Sequence, residues 1–220
     1  MGLMDSANSL NNSKHSNSSL VKDPNSSAKQ KQIVIAGCGG IGSNVARFLI
    51  QAGFTNLLLI DFDKVVYSNL NRQFYRIKQK GKKKARMLKD NLLELLNFRD
   101  RKKAKIKFKV KRITKENVSN FLSGADILVE AFDVKENKKM LIEAASSNFP
   151  KLLVVAANGI GGTDCASVKV VKVTNNLTVV GDFKTDIDSY PVFGYKVSYV
   201  ASLMTQIIIS KLENDYANLI

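Results

Sequence analysis

The chain has 220 residues, an apolar content of 45% and a formal charge of +15, enough for one buried core with a short appendage. Its two cysteines and single histidine, His15, exclude a disulfide framework, a paired-cysteine zinc site and histidine-based acid–base chemistry in the folded part. No apolar run approaches the roughly 20 residues of a membrane span and no secretory signal is visible, so the expected compartment is the reducing cytoplasm.

Residues 1–31 hold eight Ser and five Asn with no sustained apolar period. They read as a disordered leader, with a single folded domain expected over 32–220. Ile33 to Ala36 is a short apolar run before glycines, the pattern of a buried parallel strand. A helix follows over Ile41 to Ala52, then a second buried strand, Leu57 to Ile60, stopped at Asp61. Leucines at helical spacing predict a helix over Lys82 to Asn97. Lys105 to Lys111 alternates, with Ile106, Phe108 and Val110 on one side and four lysines on the other. That is a half-exposed strand whose lysines suit a sheet edge, as the third strand of a 3-2-1-4-5 sheet must be. A strand over Ile127 to Ala131, a helix over Lys135 to Asn148 and a strand over Leu152 to Ala157 continue the alternation. Ser167 to Thr174 and Leu177 to Val180 then form a strand pair across Asn175-Asn176, and Val197 to Leu212 is an amphipathic closing helix. The fold class is α/β: a doubly wound, mostly parallel Rossmann-like sheet with a C-terminal antiparallel strand pair and a closing helix.

The charge is concentrated. Residues 76–112 hold 17 Lys and Arg against Asp90, Glu94 and Asp100, a net of +14, leaving about +1 elsewhere. Such a field attracts nucleic acid, an acidic protein or polyphosphate; a merely solvated lysine-rich face stands beside it as the plain reading.

The chemistry gathers between Ile33 and Gln73. Gly37, Gly39 and Gly42 give G-x-G-x-x-G between a strand and a helix. Gly37 allows the tight turn, Gly39 lets a phosphate approach the backbone, and Gly42 lets the helix pack on the strand. Asp61, 19 residues after Gly42, is placed to accept from ribose hydroxyls. Ser68, Asn69, Asn71 and Arg72 follow. A dehydrogenase has no need of an arginine there, whereas an enzyme splitting ATP between its α- and β-phosphates needs a permanent charge on the transferring group. Asn69 can donate to a phosphate oxygen, and Ser68 and Asn71 can cap a turn.

The run GCGGIGSNVARFLIQAGF…LLLIDFDKVVYSNLNRQ resembles the ThiF/MoeB/HesA superfamily, the ubiquitin-activating-enzyme-like adenylyltransferases, and the compact length resembles its short ThiF form. The resemblance implies that Gly40 lies in the loop against ATP, Asp61 is the ribose ligand, Asn69 and Arg72 contact phosphate, Lys84 of Gly81-Lys82-Lys83-Lys84 is the phosphate lysine, and Asp133 holds magnesium. It implies ATP and Mg2+ as cofactors, and adenylylation of the C-terminal glycine of a ubiquitin-like sulfur carrier in thiamine thiazole biosynthesis by a homodimer. The departures are specific. No C-x-x-C pairs occur, so no zinc is expected; Cys165 is the one candidate for sulfur transfer; the family's Asp-Asn is Asp133-Val134; and residues 1–46 contain no arginine to offer a partner subunit. The alternatives are a tRNA-modifying cyclase or dehydratase of the same superfamily, a non-catalytic carrier-binding scaffold and, least supported, an NAD oxidoreductase.

Overall fold

The computed structural model describes residues 28–217, with side chains through Leu212. Most of the expected leader, residues 1–27, lies outside the described residues. Seven strands form one sheet: β1 (Ile33–Ala36), β2 (Leu57–Ile60), β3 (Lys107–Lys109), β4 (Ile127–Glu130), β5 (Leu153–Ala157), β6 (Lys169–Lys172) and β7 (Leu177–Gly181). Their order is β3-β2-β1-β4-β5-β7-β6, and every pairing is parallel except β6 with β7. The helices are α1 (Gly40–Gln51), α2 (Lys84–Glu94), α3 (Phe98–Lys103), α4 (Val118–Leu122), α5 (Lys135–Asn148) and α6 (Gly194–Ala217). The expected α/β fold, the edge position of β3 and the C-terminal antiparallel pair are all present.

Strand alternation divides the core in two. Ile33 and Ile35 of β1 and Leu57 and Leu59 of β2 pack with α1, α2 and α6. Val34, Ala36, Leu58 and Ile60 point the other way, against α4 and α5. Every residue of β1, β2 and β4 is buried, which is why these strands read as continuous apolar runs rather than as alternating ones. All their C-terminal ends open on one edge of the sheet, where α/β folds place ligands.

Four expectations need correction. The fold begins before Gln32: Ala28–Gln30 is a 3-10 turn with Ala28 in the core, and the Gln32 N–H and Lys31 Nζ both donate to the Asp126 carboxylate. The strand predicted over Lys105 to Lys111 is only three residues long, and Val110 is exposed. Its ladder ends where the Lys109 carbonyl accepts from the Asp61 N–H, because β2 ends at Ile60 and offers nothing further to pair with. Residues 98–103 form α3, which has no apolar period to announce it; Asn97 caps it by accepting from the Asp100 N–H at 2.9 Å, and three basic residues sit in its last turn. Helix α4 is likewise short and was not anticipated.

Candidate functional site

The chain leaves β1 through Gly37, whose φ of +92° belongs to the left-handed region; a Cβ there would lie 2.7 Å from the Ala131 carbonyl oxygen. A Cβ on Gly42 would collide with the Gly37 carbonyl, so loop and helix meet only because neither residue carries a side chain. Gly39 caps α1, and the nearest atom to a Cβ there is Gln73 Nε2 at 3.8 Å. Gly40 opens α1 against Val197 of α6, with Arg72 Cγ 3.9 Å from the same point. The first turn of α1 thus presents backbone donors that no helical carbonyl satisfies, an arrangement suited to an anion.

Asp61, just past β2, is buried. Its Oδ2 accepts from the Cys38 N–H and its Oδ1 from the Asp63 N–H, each at 2.7 Å. Burial raises its pKa, opposed by the Cys38 N–H, the Lys84 charge and the Asp63 N–H. Lys84 begins α2 as expected, but it is not a free cation: it is buried, and its Nζ lies 3.1 Å from Asp63 Oδ2. Its neighbours differ too, since Lys83 donates to the Phe62 carbonyl while Lys82 is exposed. The Tyr75 hydroxyl bridges the two halves of the site, 2.7 Å from the Cys38 carbonyl oxygen and 3.3 Å from that of Lys84. Asp63 and Tyr75 went unnoticed in the sequence. Asp63 carried a weak signal, the second acid of Asp-Phe-Asp; Tyr75 carried none.

Arg72 lies across the loop. Its Nη1 donates to the Ser68 carbonyl at 3.0 Å and to Asn71 Oδ1 at 2.9 Å, and its Nη2 to Asn69 Oδ1 at 3.2 Å. Asn69 and Asn71 therefore hold the guanidinium, and Ser68 contributes its carbonyl rather than a side-chain cap. Partial burial lowers the Arg72 pKa. Asn44 Nδ2, on α1, donates to the Arg72 carbonyl at 3.0 Å and fixes this segment from below. Beside it is an open groove of about 320 Å³ lined by Asn44, Arg47, Arg72, Gln73, Gly194 and Tyr195 among others. Gln73 Oε1 and Arg47 Nε are buried there without a hydrogen-bond partner among the described residues.

Asp133 follows β4 on the segment whose Ala131 carbonyl and Phe132 ring abut Gly37. It is exposed and makes no hydrogen bond or ion pair among the described residues. No three His, Cys, Asp or Glu side chains come together to hold a metal among those residues, so Asp133 could contribute only one ligand of a shell completed by phosphates and water, the arrangement usual for magnesium. Glu130, at the end of β4, is fully buried; it pairs with Lys138 of α5 and accepts from the Phe132 N–H, which sets the direction in which Asp133 leaves the strand. A second buried pair joins the far side. Lys196 Nζ, 1% exposed, lies 2.6 Å from Asp182 Oδ2 and 2.5 Å from the Gly161 carbonyl oxygen. The Gly159-to-Gly162 turn, the loop after β7 and the start of α6 are thereby tied together. Cys38 and Cys165 are both free thiols, and Cys165 lies in the turn before β6.

A family model described as "ThiF family" matches residues 15–218. Among curated relatives, a tRNA threonylcarbamoyladenosine dehydratase of Haemophilus influenzae is 30% identical over 152 residues, 68% of this chain and 56% of that protein. A sulfur carrier protein adenylyltransferase of Thermus thermophilus is 32% identical over 118 residues, 53% of this chain and 42% of that protein. A ubiquitin-like modifier-activating enzyme 5 of Caenorhabditis elegans is 39% identical over 67 residues, 30% of this chain and 16% of that protein. The chain thus spans little more than half the length of these relatives at most. The fold is shared with the Escherichia coli tRNA N6-threonylcarbamoyladenosine dehydratase solved with AMP, at a TM-score of 0.78 and 18% identity over 90% of this chain and 92% of that one. The resemblance first carried by the glycine loop and Arg72 extends over nearly the whole sequence: the chain belongs to the ThiF family.

Proposed function

We propose that the protein is an ATP-dependent adenylyltransferase that activates a carboxylate. The observation that carries this reading is convergence on residues 37–40. Asp61 bonds the Cys38 N–H, Tyr75 ties Lys84 to the Cys38 carbonyl, Arg72 packs beside Gly40, and the segment leading to Asp133 closes on Gly37. In this reading the first turn of α1 receives the phosphates, Asp61 the ribose, and Arg72 with Lys84 the charge that develops on the α-phosphorus and the leaving pyrophosphate. The substrate carboxylate attacks the α-phosphorus, the bond to the β-phosphate oxygen breaks, and acyl-adenylate and pyrophosphate form. No general base is needed, because the carboxylate is already ionised near neutrality. Asp133 would hold magnesium, which when bound neutralises phosphate charge.

The carboxylate we favour is the C-terminal glycine of a ubiquitin-like sulfur carrier of the ThiS type, in thiamine thiazole biosynthesis, with the enzyme acting as a cytoplasmic homodimer. Similarity to a sulfur carrier protein adenylyltransferase supports it. The cleft edge formed by the 158–162 turn and the 182–195 loop is a place where an extended tail could enter. A second reading, an RNA-borne carboxylate, is supported by similarity to a tRNA-modifying dehydratase and by the basic 76–112 segment. Pyrophosphate exchange into ATP separates them. Exchange that requires a Gly-Gly-terminated carrier and is lost in Arg72→Ala and Asp133→Ala supports the first; exchange that requires tRNA supports the second. Absence of exchange with either would overturn the enzymatic reading and leave a scaffold.

A further inference from the structure

Of the seventeen cationic residues in 76–112, fourteen are exposed, and only Arg76 and Lys84 are in salt bridges among the described residues. Nine of the exposed ones, from Arg99 to Arg112, lie on α3, β3 and the segments flanking β3. Strand β3 is the sheet edge; Lys107 and Lys109 stand on one exposed face of it roughly 7 Å apart, with Lys105 exposed just before the strand. Helix α3 adds Arg99, Arg101, Lys102 and Lys103. At the N-terminal end of the strand a groove of about 770 Å³ is lined by Thr55, Asn56, Asn97, Lys103 and Lys105 among others. At its C-terminal end Arg112 lies over the Phe62 ring, 4.1 Å from the centroid, directly after the Asp61 carboxylate. The basic edge therefore runs the height of the sheet, from a concave polar groove to the rim of the glycine loop.

Charge alone does not distinguish an acidic protein from a nucleic acid; the aromatics do. Phe98 opens α3 and is 75% exposed, with Lys102 Nζ 4.3 Å from its ring centroid. The structure turns Phe98 outward, and Phe62, from another segment, is partly exposed under its own arginine. An exposed ring beside cations is how bases are stacked while their phosphates are neutralised, and a polyanion without bases would use the cations but not the ring.

We infer that the β3–α3 edge is an RNA-binding surface, which takes the phosphate backbone along the lysines and stacks an unpaired base on Phe98. The surface is separate from the adenylylation site, and the inference stands whichever carboxylate that site activates. The test uses the full chain and fluorescence anisotropy with unfractionated tRNA, a 12-nucleotide single-stranded RNA and polyglutamate. Tight binding of the RNAs is expected, with an affinity that falls steeply with salt. A K102E/K103E/K105E/K107E variant should weaken RNA at least a hundredfold and flatten the salt dependence, and Phe98→Ala should weaken the single strand about tenfold. Both variants should bind a fluorescent ATP analogue as the parent does, which reports folding and the nucleotide site independently of the RNA. Polyglutamate binding as well as RNA at equal charge, RNA binding unchanged in the charge-reversed variant, or no RNA binding at 100 mM salt would each overturn the inference.

Discussion

Lys84 Nζ sits 3.1 Å from the Asp63 carboxylate at the entry to α2, with the lysine buried and the aspartate half exposed. The lysine assigned to phosphate in the proposed function is thus held by a side chain that opens to solvent. On that reading the pair places a charge at the anion's position without leaving it unpaired beforehand.

Asp63→Asn should therefore act in opposite directions with and without nucleotide. Removing the partner of a buried ammonium should lower the melting temperature of the ligand-free protein by a few degrees, from about 1 kcal/mol once the exposure of Asp63 is allowed for. ATP should then raise it by more than it does in the parent protein, because phosphate replaces the missing carboxylate. Equal ATP-induced shifts in thermal melts would separate Lys84 from the phosphate.

Arg72→Lys should retain ATP binding within a few-fold while lowering pyrophosphate exchange by about two orders of magnitude. The guanidinium is held at Ser68, Asn69 and Asn71, three acceptors that a single ammonium cannot reach together. Steady-state exchange beside equilibrium ATP titration is the check; loss of ATP binding alone would contradict a role in the transition state.

Asp133→Asn should leave stability unchanged, since the carboxylate has no partner to lose among the described residues, and should raise the magnesium concentration needed for half-maximal exchange about tenfold or more. Magnesium titration of both proteins decides it, and an unchanged midpoint would remove Asp133 from the metal.

Lys196→Met leaves the buried Asp182 carboxylate without its counter-charge and should cost about 3–5 kcal/mol in denaturant unfolding. Burial pushes the Asp182 pKa up, but Lys196, the Thr185 hydroxyl and the N–H groups of Thr185 and Lys184 outweigh it and hold the carboxyl well below the usual range. A carboxyl depressed on folding stabilises the native state fully above its unfolded pKa of about 3.9 and loses that contribution as pH falls toward the folded value. The parent protein should lose stability steeply below about pH 4 for this reason. A Lys196→Met/Asp182→Asn double variant should show a shallower fall; identical acid unfolding profiles would dismiss the pair as the source.

How far the sequence disclosed all this depends on the kind of signal each part carries. Strands buried on both faces, such as Ile33–Ala36, and a glycine turn leading into a helix are local patterns, and they appeared where expected. Arg72 and Lys84 were legible as types at a spacing, as were Ser68, Asn69 and Asn71 around the guanidinium, but the more distant supports were not: Asp63 and Tyr75 lie 21 and 9 residues from Lys84, and Asn44 lies 28 from Arg72, brought near only by the fold. Helix α3 was hidden because its residues have no buried face to impose a period. Lys196 lies just before the helix expected over Val197 to Leu212, where nothing local marks it, and only the return of the chain past Gly161 and Asp182 gives it partners.

The Tyr75 hydroxyl joins the carbonyl of the glycine turn to the carbonyl that opens α2. Two segments that the proposed nucleotide would otherwise have to bring into register are thereby already held side by side. Under the proposed function, more of the ordering entropy of complex formation then falls on the flexible triphosphate and less on these two segments of the polypeptide.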